Sequence, residues 1–365
     1  MTTGPVALRL RHVDRMRAVA ILCMVEVHTA AIIPPEGVTV GHPAAFIAAA
    51  FGGMAAPMFV TISGWGMYRS SIRRFEEGHA ASEWFGWILP RVALLSICQF
   101  LVNLLLNVER GGRFEWHTPG VLTLLAISAI IAPILVRLSF ANRAALTIAF
   151  GAVPLFMGSY SGEELTWFER VDSSGAREWL QRLFLNGTYP AFPWLFFVFL
   201  GSILHDLRDA SGTRKNLIGI GLSFSTLTIV YAILEERDWA LTSGDAVLTF
   251  FPASFPFLLV SGCLVMLVMM LLEGEENSGG DPALGDKLSV LEPAGRLSLT
   301  IYVAHFAVLG AAAIMLDGAR LAVFPAFAVT LGHTLVWIPI ASIIEKKAPG
   351  LSLENILKSI DQSGR

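Results

Sequence analysis

Long apolar runs alternate with short polar segments along the whole chain. A helix that crosses a bilayer needs about 20 consecutive, predominantly apolar residues, and most of the runs have that length. The pattern predicts ten spans, at residues 16–33, 44–68, 84–106, 118–137, 143–159, 190–207, 216–234, 246–272, 296–316 and 320–344. The predicted fold class is therefore all-α, an integral membrane helical bundle of about ten transmembrane helices.

Composition agrees with lipid as the solvent of this chain. Hydrophobic residues make up 54% of the sequence and charged residues 15%, against about 25% charged in typical soluble domains. The net charge of −3 supplies no basic surface for nucleic acid. We expect a multi-pass protein of the cell membrane, with the lipid bilayer as a partner and without a nucleic-acid partner.

The placement of Lys and Arg predicts the orientation of the chain. If ten helices alternate from a cytoplasmic N-terminus, most of the 26 Lys and Arg fall in cytoplasmic segments, so both termini are predicted to be cytoplasmic. One membrane domain, 1–365, is expected, with an external loop at 160–189 and a cytoplasmic linker at 273–295. No metal site is predicted, because the three cysteines lie scattered through apolar runs, at Cys23, Cys98 and Cys263.

Few ionisable or strongly polar side chains interrupt the predicted spans. A charged side chain costs roughly 3 kcal/mol at the centre of a membrane on insertion scales, so each needs a partner, a cavity or a function. The candidates are Glu26, His28, Arg91, Gln99, His305 and His333. A neutral histidine hydrogen-bonded between helices is the structural alternative for each His, and it is strongest for His333.

The first predicted helix has the densest set of such residues. Arg17 and His28 are eleven residues apart, which is three helical turns, so they share one face with about 16 Å between them along the axis. Asp14 is spaced to pair with Arg17, whereas Glu26 points to nearly the opposite face from His28. A charged helix end followed by one core histidine is the structural alternative for this set.

Five short motifs follow one another along the chain in the order of a known family. They are Asp14-x-x-Arg17 with its following His28, and the stretches 56–64, 119–122, 189–201 and 295–305. In this order they resemble the clan of polytopic membrane acyltransferases, which move acyl groups from a donor such as acetyl-CoA onto sugars. The nearest likeness is to the heparan-alpha-glucosaminide N-acetyltransferase-like branch and its prokaryotic relatives. The chain also resembles O-acyltransferases of the acyltransferase 3 type.

The two branches of this resemblance imply different catalytic histidines. In the N-acetyltransferase branch the histidine lies in the outer loop before the Pro-x-Phe of the second helix, a place that His42 occupies ahead of Pro57. In the O-acyltransferase branch it is the one matched by His28. The chain departs from the first branch at Gly53, where an acidic residue is usual, and at Ala18, where Gly is usual.

The resemblance implies cytoplasmic acyl-CoA as co-substrate and no bound cofactor. Acyl transfer needs a base that takes a proton from the acceptor, and histidine suits this role because it titrates near neutral pH. His28 and His42 are the candidates for it. The CoA phosphates need cations, for which the candidates are Arg17, Arg73, Arg74 and Arg91, although inner loops are positive in any case. Residues expected to line or support the site are Asp14, Glu26, Glu36, His305, Tyr302 and Trp194.

The predicted function is transfer of an acyl group, expected to be acetyl, from cytoplasmic acyl-CoA to an amine or hydroxyl of a sugar or glycan at the outer face. A multi-pass transporter is one alternative, and it would have two repeat-related halves with broken helices. No such correspondence joins 1–180 to 181–365, but the alternative stays open because prolines interrupt several spans, at Pro57, Pro90, Pro133, Pro154, Pro193 and Pro256. A non-catalytic carrier of a glycan or lipid precursor on the same scaffold is the other. The acceptor, the acyl length and a homo-oligomeric state stay open at this stage.

Overall fold

The computed structural model describes residues 10–39, 42–277 and 287–363. Its helices in the first half are α1 (Arg11–Ile32), α2 (Pro43–Glu76), α3 (Ala81–Leu105), α4 (Val121–Leu135), α5 (Phe140–Ala152), α6 (Pro154–Met157), α7 (Trp167–Val171) and α8 (Ala176–Gln181). The second half contains α9 (Ala191–Asp206), α10 (Ser211–Leu234), α11 (Phe255–Asn277), α12 (Glu292–Arg296), α13 (Ser298–Leu316), α14 (Val323–Lys347) and α15 (Leu353–Ser363). Two short parallel strands, β1 (Asp238–Leu241) and β2 (Ala246–Thr249), lie between α10 and α11.

Six of the described helices are long and apolar enough to cross a membrane, namely α2, α3, α10, α11, α13 and α14. Two further helix pairs, within 140–161 and 176–206, are bent by 48° and 47° and raise the number to eight if each pair is one span. Large apolar side chains stay exposed on these helices, as on α10 at Ile220, Leu227, Ile233 and Leu234. Such surfaces are accommodated by lipid, so the chain is an all-α, multi-pass membrane protein.

Each of the ten apolar runs contains a helix, but two of these helices fall outside the six to eight spans. Helix α1 carries five charged residues, and α4 has only 15 residues. A helix can span a membrane alone only if it is long enough and apolar enough. Helix α1 has too many charges, and α4 is too short. Both therefore depend on their neighbours within the bundle for their place.

The predicted start of the eighth span at residue 246 is wrong, because 246–249 form β2 and α11 begins only at Phe255. Pro252 has no N–H to donate to a helix, and it restricts the residue before it to extended conformations. Ser254 then caps α11, since its Oγ accepts a hydrogen bond from the N–H of Phe257 at 3.3 Å.

The two long segments between predicted spans also contain helix. Within 160–189 lie α7 and α8. Helix α11 extends to Asn277 and α12 begins at Glu292, so both ends of the predicted 273–295 linker are helical, while 278–286 lie outside the described residues. Short helices at such places satisfy backbone N–H and C=O groups locally.

Helices α2 and α9 touch backbone to backbone. A Cβ added at Gly201 would lie 2.3 Å from the carbonyl oxygen of Thr61, and one added at Gly64 would lie 2.6 Å from that of Val198. Small residues permit such close packing between helices in a membrane, where no water drives association. The contact holds α2 in the middle of the bundle, between α1 and α9.

The beginning of α1 is held by α12 in a similar way. A Cβ at Gly295 would lie 1.7 Å from the backbone oxygen of Asp14, so no other residue fits there. Arg296 of α12 bonds Glu345 of α14 through its Nε at 2.5 Å from Oε1, and its Nη1 lies 3.8 Å from Asp14 Oδ2. These contacts fix the position of α1 relative to α13 and α14.

Gly201→Ala is expected to destabilise the bundle, because the new methyl group would overlap the Thr61 carbonyl oxygen. Overpacking of this kind costs about 1–3 kcal/mol. Thermal unfolding of the purified protein in detergent should show a lower midpoint. Gly219→Ala on α10 is the control, since nothing lies within 4 Å of a Cβ there. Equal midpoints for the two variants would contradict the close approach of α2 and α9.

Candidate active site

A cavity of about 360 Å³ opens between α1, α2, α3, α11 and α13. Residues from the turn after α3, from α7 and from the β1–β2 segment close its remaining sides. Aliphatic and aromatic side chains form most of the wall. The polar side chains that line it are His28, Gln99, Arg113, Thr188, Tyr189, Thr242, Ser261 and Tyr302. Pockets of this kind, apolar with a few placed polar groups, are the usual sites for small-molecule chemistry.

Two histidines from opposite ends of the chain meet at this cavity. The Nδ1 atom of His28 lies 2.9 Å from Nε2 of His305, and the two ring planes are nearly parallel, at 2°. The Nδ1 atom of His305 lies 3.0 Å from the carbonyl oxygen of Ile301, one turn earlier on α13. His28 lines the cavity, whereas His305 is completely buried behind it.

The hydrogen-bond chain assigns the protons on both rings. A backbone carbonyl oxygen can only accept, so Nδ1 of His305 carries a hydrogen and donates it to Ile301. The Nε2 of a neutral His305 is then an acceptor, which requires that Nδ1 of His28 donate to it. A neutral His28 is therefore held in the tautomer whose Nε2 has a lone pair. That is the protonation state of a general base.

An amide network fixes α4 against α3 at the wall of the cavity. Gln99 Oε1 accepts from the N–H of Leu122 at 3.2 Å, and Gln99 Nε2 donates to Asn103 Oδ1 at 2.9 Å. A Cβ at Gly120 would lie 2.5 Å from Gln99 Oε1, so a larger residue there would displace the Gln99 amide. The polar residue that the apolar pattern flagged at Gln99 is thus a structural group of the cavity wall.

The two site residues predicted from the outer loop, His42 and Glu36, lie outside the cavity lining. His42 is exposed at the start of α2, where its backbone N–H donates to the Thr39 carbonyl oxygen at 3.1 Å. Glu36 is exposed as well, and its backbone N–H donates to the Leu321 carbonyl oxygen at 2.7 Å. Neither side chain is among the described residues that line the cavity.

The supporting residues divide between the cavity wall and the core. Tyr302 lines the cavity, and its ring packs edge-on against His305 at 5.7 Å between centroids. Trp194 is fully buried and packs against Tyr189 and Phe250, at centroid distances of 4.9 and 5.1 Å. It therefore supports the wall from behind.

Two other polar residues of α1, Glu26 and Thr29, are not among the described residues that line the cavity. Glu26 is only partly buried, and its Oε2 has no hydrogen-bond partner among the described residues. His333 of α14 has its Nδ1 2.8 Å from Thr29 Oγ1. This contact is an interhelical hydrogen bond, as the structural alternative for His333 predicts.

Arg17 and Asp14 lie at the other end of α1 from His28. Arg17 Nη1 is 4.0 Å from Asp14 Oδ1, and a Cβ at Gly66 of α2 would lie 2.8 Å from Arg17 Nη2. On the helix face between Arg17 and His28, Ile21 and Met24 are 0% and 2% exposed. Packed apolar side chains therefore separate the arginine from the histidine.

Of the other three predicted donor-binding arginines, Arg74 and Arg91 lie near the Trp87 ring. Arg91 Cζ lies 4.1 Å from the centre of the Trp87 ring, and its Nη1 donates to the Trp87 carbonyl oxygen at 2.8 Å. Arg74 Cζ lies 5.2 Å from the same ring. Arg73 is more exposed and has its Nε 3.9 Å from Glu77 Oε1. Arg74 and Arg91 therefore share one aromatic surface, while Arg73 does not.

Arg113 is a cavity residue that the sequence pattern did not single out. It lies in the turn between α3 and α4, and its Nη2 donates to the Ala31 carbonyl oxygen at 3.0 Å. A polar residue stands out in the sequence only inside an apolar run, and Arg113 lies between two runs. Only its packing against α1 brings it to the cavity.

Comparison with known families gives this arrangement its class. Residues 10–343 match the family described as an acyltransferase domain, of the acyltransferase 3 type. The chain belongs to the acyltransferase 3 family. A comparison with curated proteins finds no match. The family membership confirms the predicted enzyme class, an acyltransferase, and the resemblance to the O-acyltransferase branch, which is the branch that nominates His28.

His305→Leu is expected to lower kcat of this acyltransferase by about 100-fold or more, since a correctly placed general base contributes 10²–10⁴. Loss of the Nε2 acceptor would free the His28 ring to rotate and to change tautomer. His305→Gln should retain more activity, because its amide oxygen can accept the same bond. Steady-state kinetics of both variants would check this.

His333→Ala is the matched control, because it also removes a histidine that bonds α1 from a neighbouring helix. Its kcat should stay within threefold of the wild type. A His305→Leu enzyme that is as active as His333→Ala would refute the role of His305.

Proposed function

We propose that this acyltransferase moves an acyl group, expected to be acetyl, from cytoplasmic acyl-CoA to a hydroxyl or amine of a sugar or glycan at the outer face of the cell membrane. The observation that carries the proposal is the chain from Ile301 through His305 to His28, which ends at a cavity in a protein of an acyltransferase family. Histidine with one ring nitrogen held by an acceptor is the arrangement of a general base.

The proposed reaction uses His28 for both proton transfers. His28 Nε2 takes the proton of the acceptor as the acceptor atom attacks the carbonyl carbon of the thioester. The tetrahedral intermediate collapses when the C–S bond breaks, and His28 returns the proton to the departing CoA thiolate. His305 orients the ring throughout and stabilises the imidazolium through the bond from His28 Nδ1.

The proposed topology has ten spans with both termini in the cytoplasm. It adds α1 and α4, which neighbouring helices cover, to the eight candidate spans. The excess of Lys and Arg on one side supports this orientation. Arg17 then lies at the inner surface and His28 in the outer half of the membrane, about 16 Å apart along the helix.

The donor is proposed to enter from the inner side. Arginine binds phosphate in a bidentate manner, so Arg17, Arg73, Arg74 and Arg91 are proposed contacts for the phosphates of CoA. The pantetheine arm would then run along α1 towards His28. Because Ile21 and Met24 are packed on that face, their side chains must move when the donor binds.

Carriage of a glycan or lipid precursor without chemistry is the second candidate. The two bent helix pairs favour it, because broken helices line the binding sites of many transporters. A carrier would move the acceptor across a vesicle membrane without turnover of the acyl donor, which an acyltransferase would consume.

The proposed function predicts that the purified wild-type protein releases CoA from acetyl-CoA in the presence of a suitable amino sugar or glycan. His28→Ala should lower this rate by about 100-fold or more, because the base is lost. His42→Ala should leave the rate within threefold of the wild type, since His42 lies outside the cavity lining. A thiol-reactive dye would measure the CoA released in vesicles that contain the protein.

Loss of turnover in His42→Ala alone would move the base to the outer loop and favour the N-acetyltransferase branch. A wild-type protein that transports acceptors but never releases CoA would favour the carrier.

Arg17→Ala is expected to raise the KM for acetyl-CoA by about 10-fold or more, since a hydrogen bond to a charged group contributes roughly 1.5–3 kcal/mol. The acceptor KM should change little. Lys347→Ala, at the end of α14, removes a positive charge from the same proposed face and serves as control. An unchanged donor KM in Arg17→Ala would exclude Arg17 from the donor site.

A further inference from the structure

Arg113 places a cation in the wall of the mostly apolar cavity that His28 lines. Of the residues that line the cavity in the described part of the chain, it is the one Arg, Lys, Asp or Glu. A cation in a mostly apolar cavity loses hydration, and such a position is retained where the charge has a partner or a function. We therefore expect the charge of Arg113, near His28, to have a partner or a function.

The guanidinium of Arg113 is anchored close to the candidate base. Its Nη2 donates to the carbonyl oxygen of Ala31, at 3.0 Å. Ala31 follows His28 on α1 by three residues, which is less than one turn and about 5 Å along the axis. Arginine has five N–H donors in a planar fork, so the bond to Ala31 leaves others for a ligand in the cavity.

Hydrogen bonds hold the turn that carries Arg113. The backbone N–H of Arg113 donates to the Leu106 carbonyl oxygen at 2.8 Å, and the carbonyl oxygen of Arg113 accepts from Trp167 Nε1 at 2.9 Å. The next residue is held too, because Asn107 Nδ2 donates to the Phe114 carbonyl oxygen at 3.2 Å. A donor fixed before the reaction needs no reorganisation during it, which is the condition for effective stabilisation of a developing charge.

Among the described residues, no ion pair joins a carboxylate to the Arg113 guanidinium, whose hydrogen-bond partner is the Ala31 carbonyl oxygen. Burial lowers the pKa of Arg113 from its usual value. An arginine nevertheless stays protonated near neutral pH, so the group is cationic in the cavity. The ligand that completes this site therefore carries negative charge or develops it.

We propose that Arg113 is a catalytic residue of the acyl transfer, which binds the carbonyl oxygen of the acyl donor and stabilises the oxyanion of the tetrahedral intermediate. When the acceptor oxygen or nitrogen bonds the carbonyl carbon, the C=O π electrons move to the oxygen, which accepts N–H bonds from Arg113. They return to re-form C=O as the C–S bond breaks and CoA leaves as thiolate. The inference rests on the proposed function and adds the electrostatic half of its site.

A purely structural role for Arg113 is the alternative, because its bond to Ala31 and its packing near Trp167 also join the outer turn to α1. The two roles differ in what they change. An oxyanion donor acts mainly in the transition state, so its loss lowers kcat and leaves KM nearly constant. A structural bond, when removed, lowers the midpoint of unfolding and disturbs KM.

The experiment compares Arg113→Gln, Arg113→Lys and Arg113→Ala with Arg110→Gln. Arg110 is an exposed arginine of the same turn and serves as the matched control. Each purified protein is assayed for CoA release from acetyl-CoA, with the amino sugar or glycan that the wild type uses fastest. Arg113→Ala is also assayed with guanidinium chloride at low millimolar concentrations. Thermal unfolding is recorded for every variant.

The expected result for Arg113→Gln is a 10²- to 10³-fold loss of kcat, the range found when one oxyanion donor is removed, with both KM values within threefold. Arg113→Lys should recover part of the loss, and guanidinium should raise the rate of Arg113→Ala at least fivefold. Arg110→Gln should match the wild type.

If the wild type turns over and Arg113→Gln has the same kcat, this inference is overturned and the proposed function stays intact. A kcat loss that comes with a lower unfolding midpoint and no response to guanidinium would assign Arg113 the structural role instead. A wild type without turnover on any acceptor would overturn the proposed function, and the role of Arg113 with it.

Discussion

The site depends on one hydrogen bond, between Nδ1 of His28 and Nε2 of His305. It joins the first long helix to α13 across 277 residues of sequence, and the Ile301 carbonyl oxygen on the far side of His305 decides its direction. In water such a bond would exchange with solvent and fix nothing. Inside an apolar bundle no water competes, so a single backbone acceptor sets the proton positions on two rings. The close contacts of α1 with α12, and of α2 with α9, matter because they hold α1 where this bond can form.

The cavity owes its chemistry to how few polar groups it contains. Low polarity strengthens each electrostatic interaction within it, and the same low polarity makes an unpaired polar group costly. The fold meets this constraint because polar groups near the cavity have local partners. Gln99 and Asn103 of α3 bond each other, and Asn103 also bonds the backbone just before α4. The His28 ring and the Arg113 guanidinium are among the cavity groups that keep donor or acceptor capacity for a ligand. In acyl transfer these are the groups that a base and an oxyanion donor require.

The two ends of α1 have opposite characters. Its first turns carry arginines and lie in a network of ion pairs with α12, whereas its last turns border the apolar cavity. Ile21 and Met24 separate these regions by close packing. A donor that binds by its phosphates at one end and reacts at the other has to cross this packed segment. Because that segment is closed in the structure, the proposed transfer would require another arrangement of these side chains.

Apolar runs predicted the helices and the membrane as solvent, because these follow from local patterns. The family resemblance came instead from the order of short motifs along the chain. The apolar runs also identified His28 and His305, since a polar residue stands out within an apolar run. Pairing these residues needed the tertiary structure, because contacts across hundreds of residues depend on packing and not on spacing. The same holds for Arg113, which lies in a turn where charge is ordinary and becomes unusual only against α1. The sequence likewise left both His28 and His42 as candidates for the base, and the tertiary structure places His28, but not His42, in the cavity lining. Local pattern thus determined which elements exist, and the packing of α1 decided which side chains share a site.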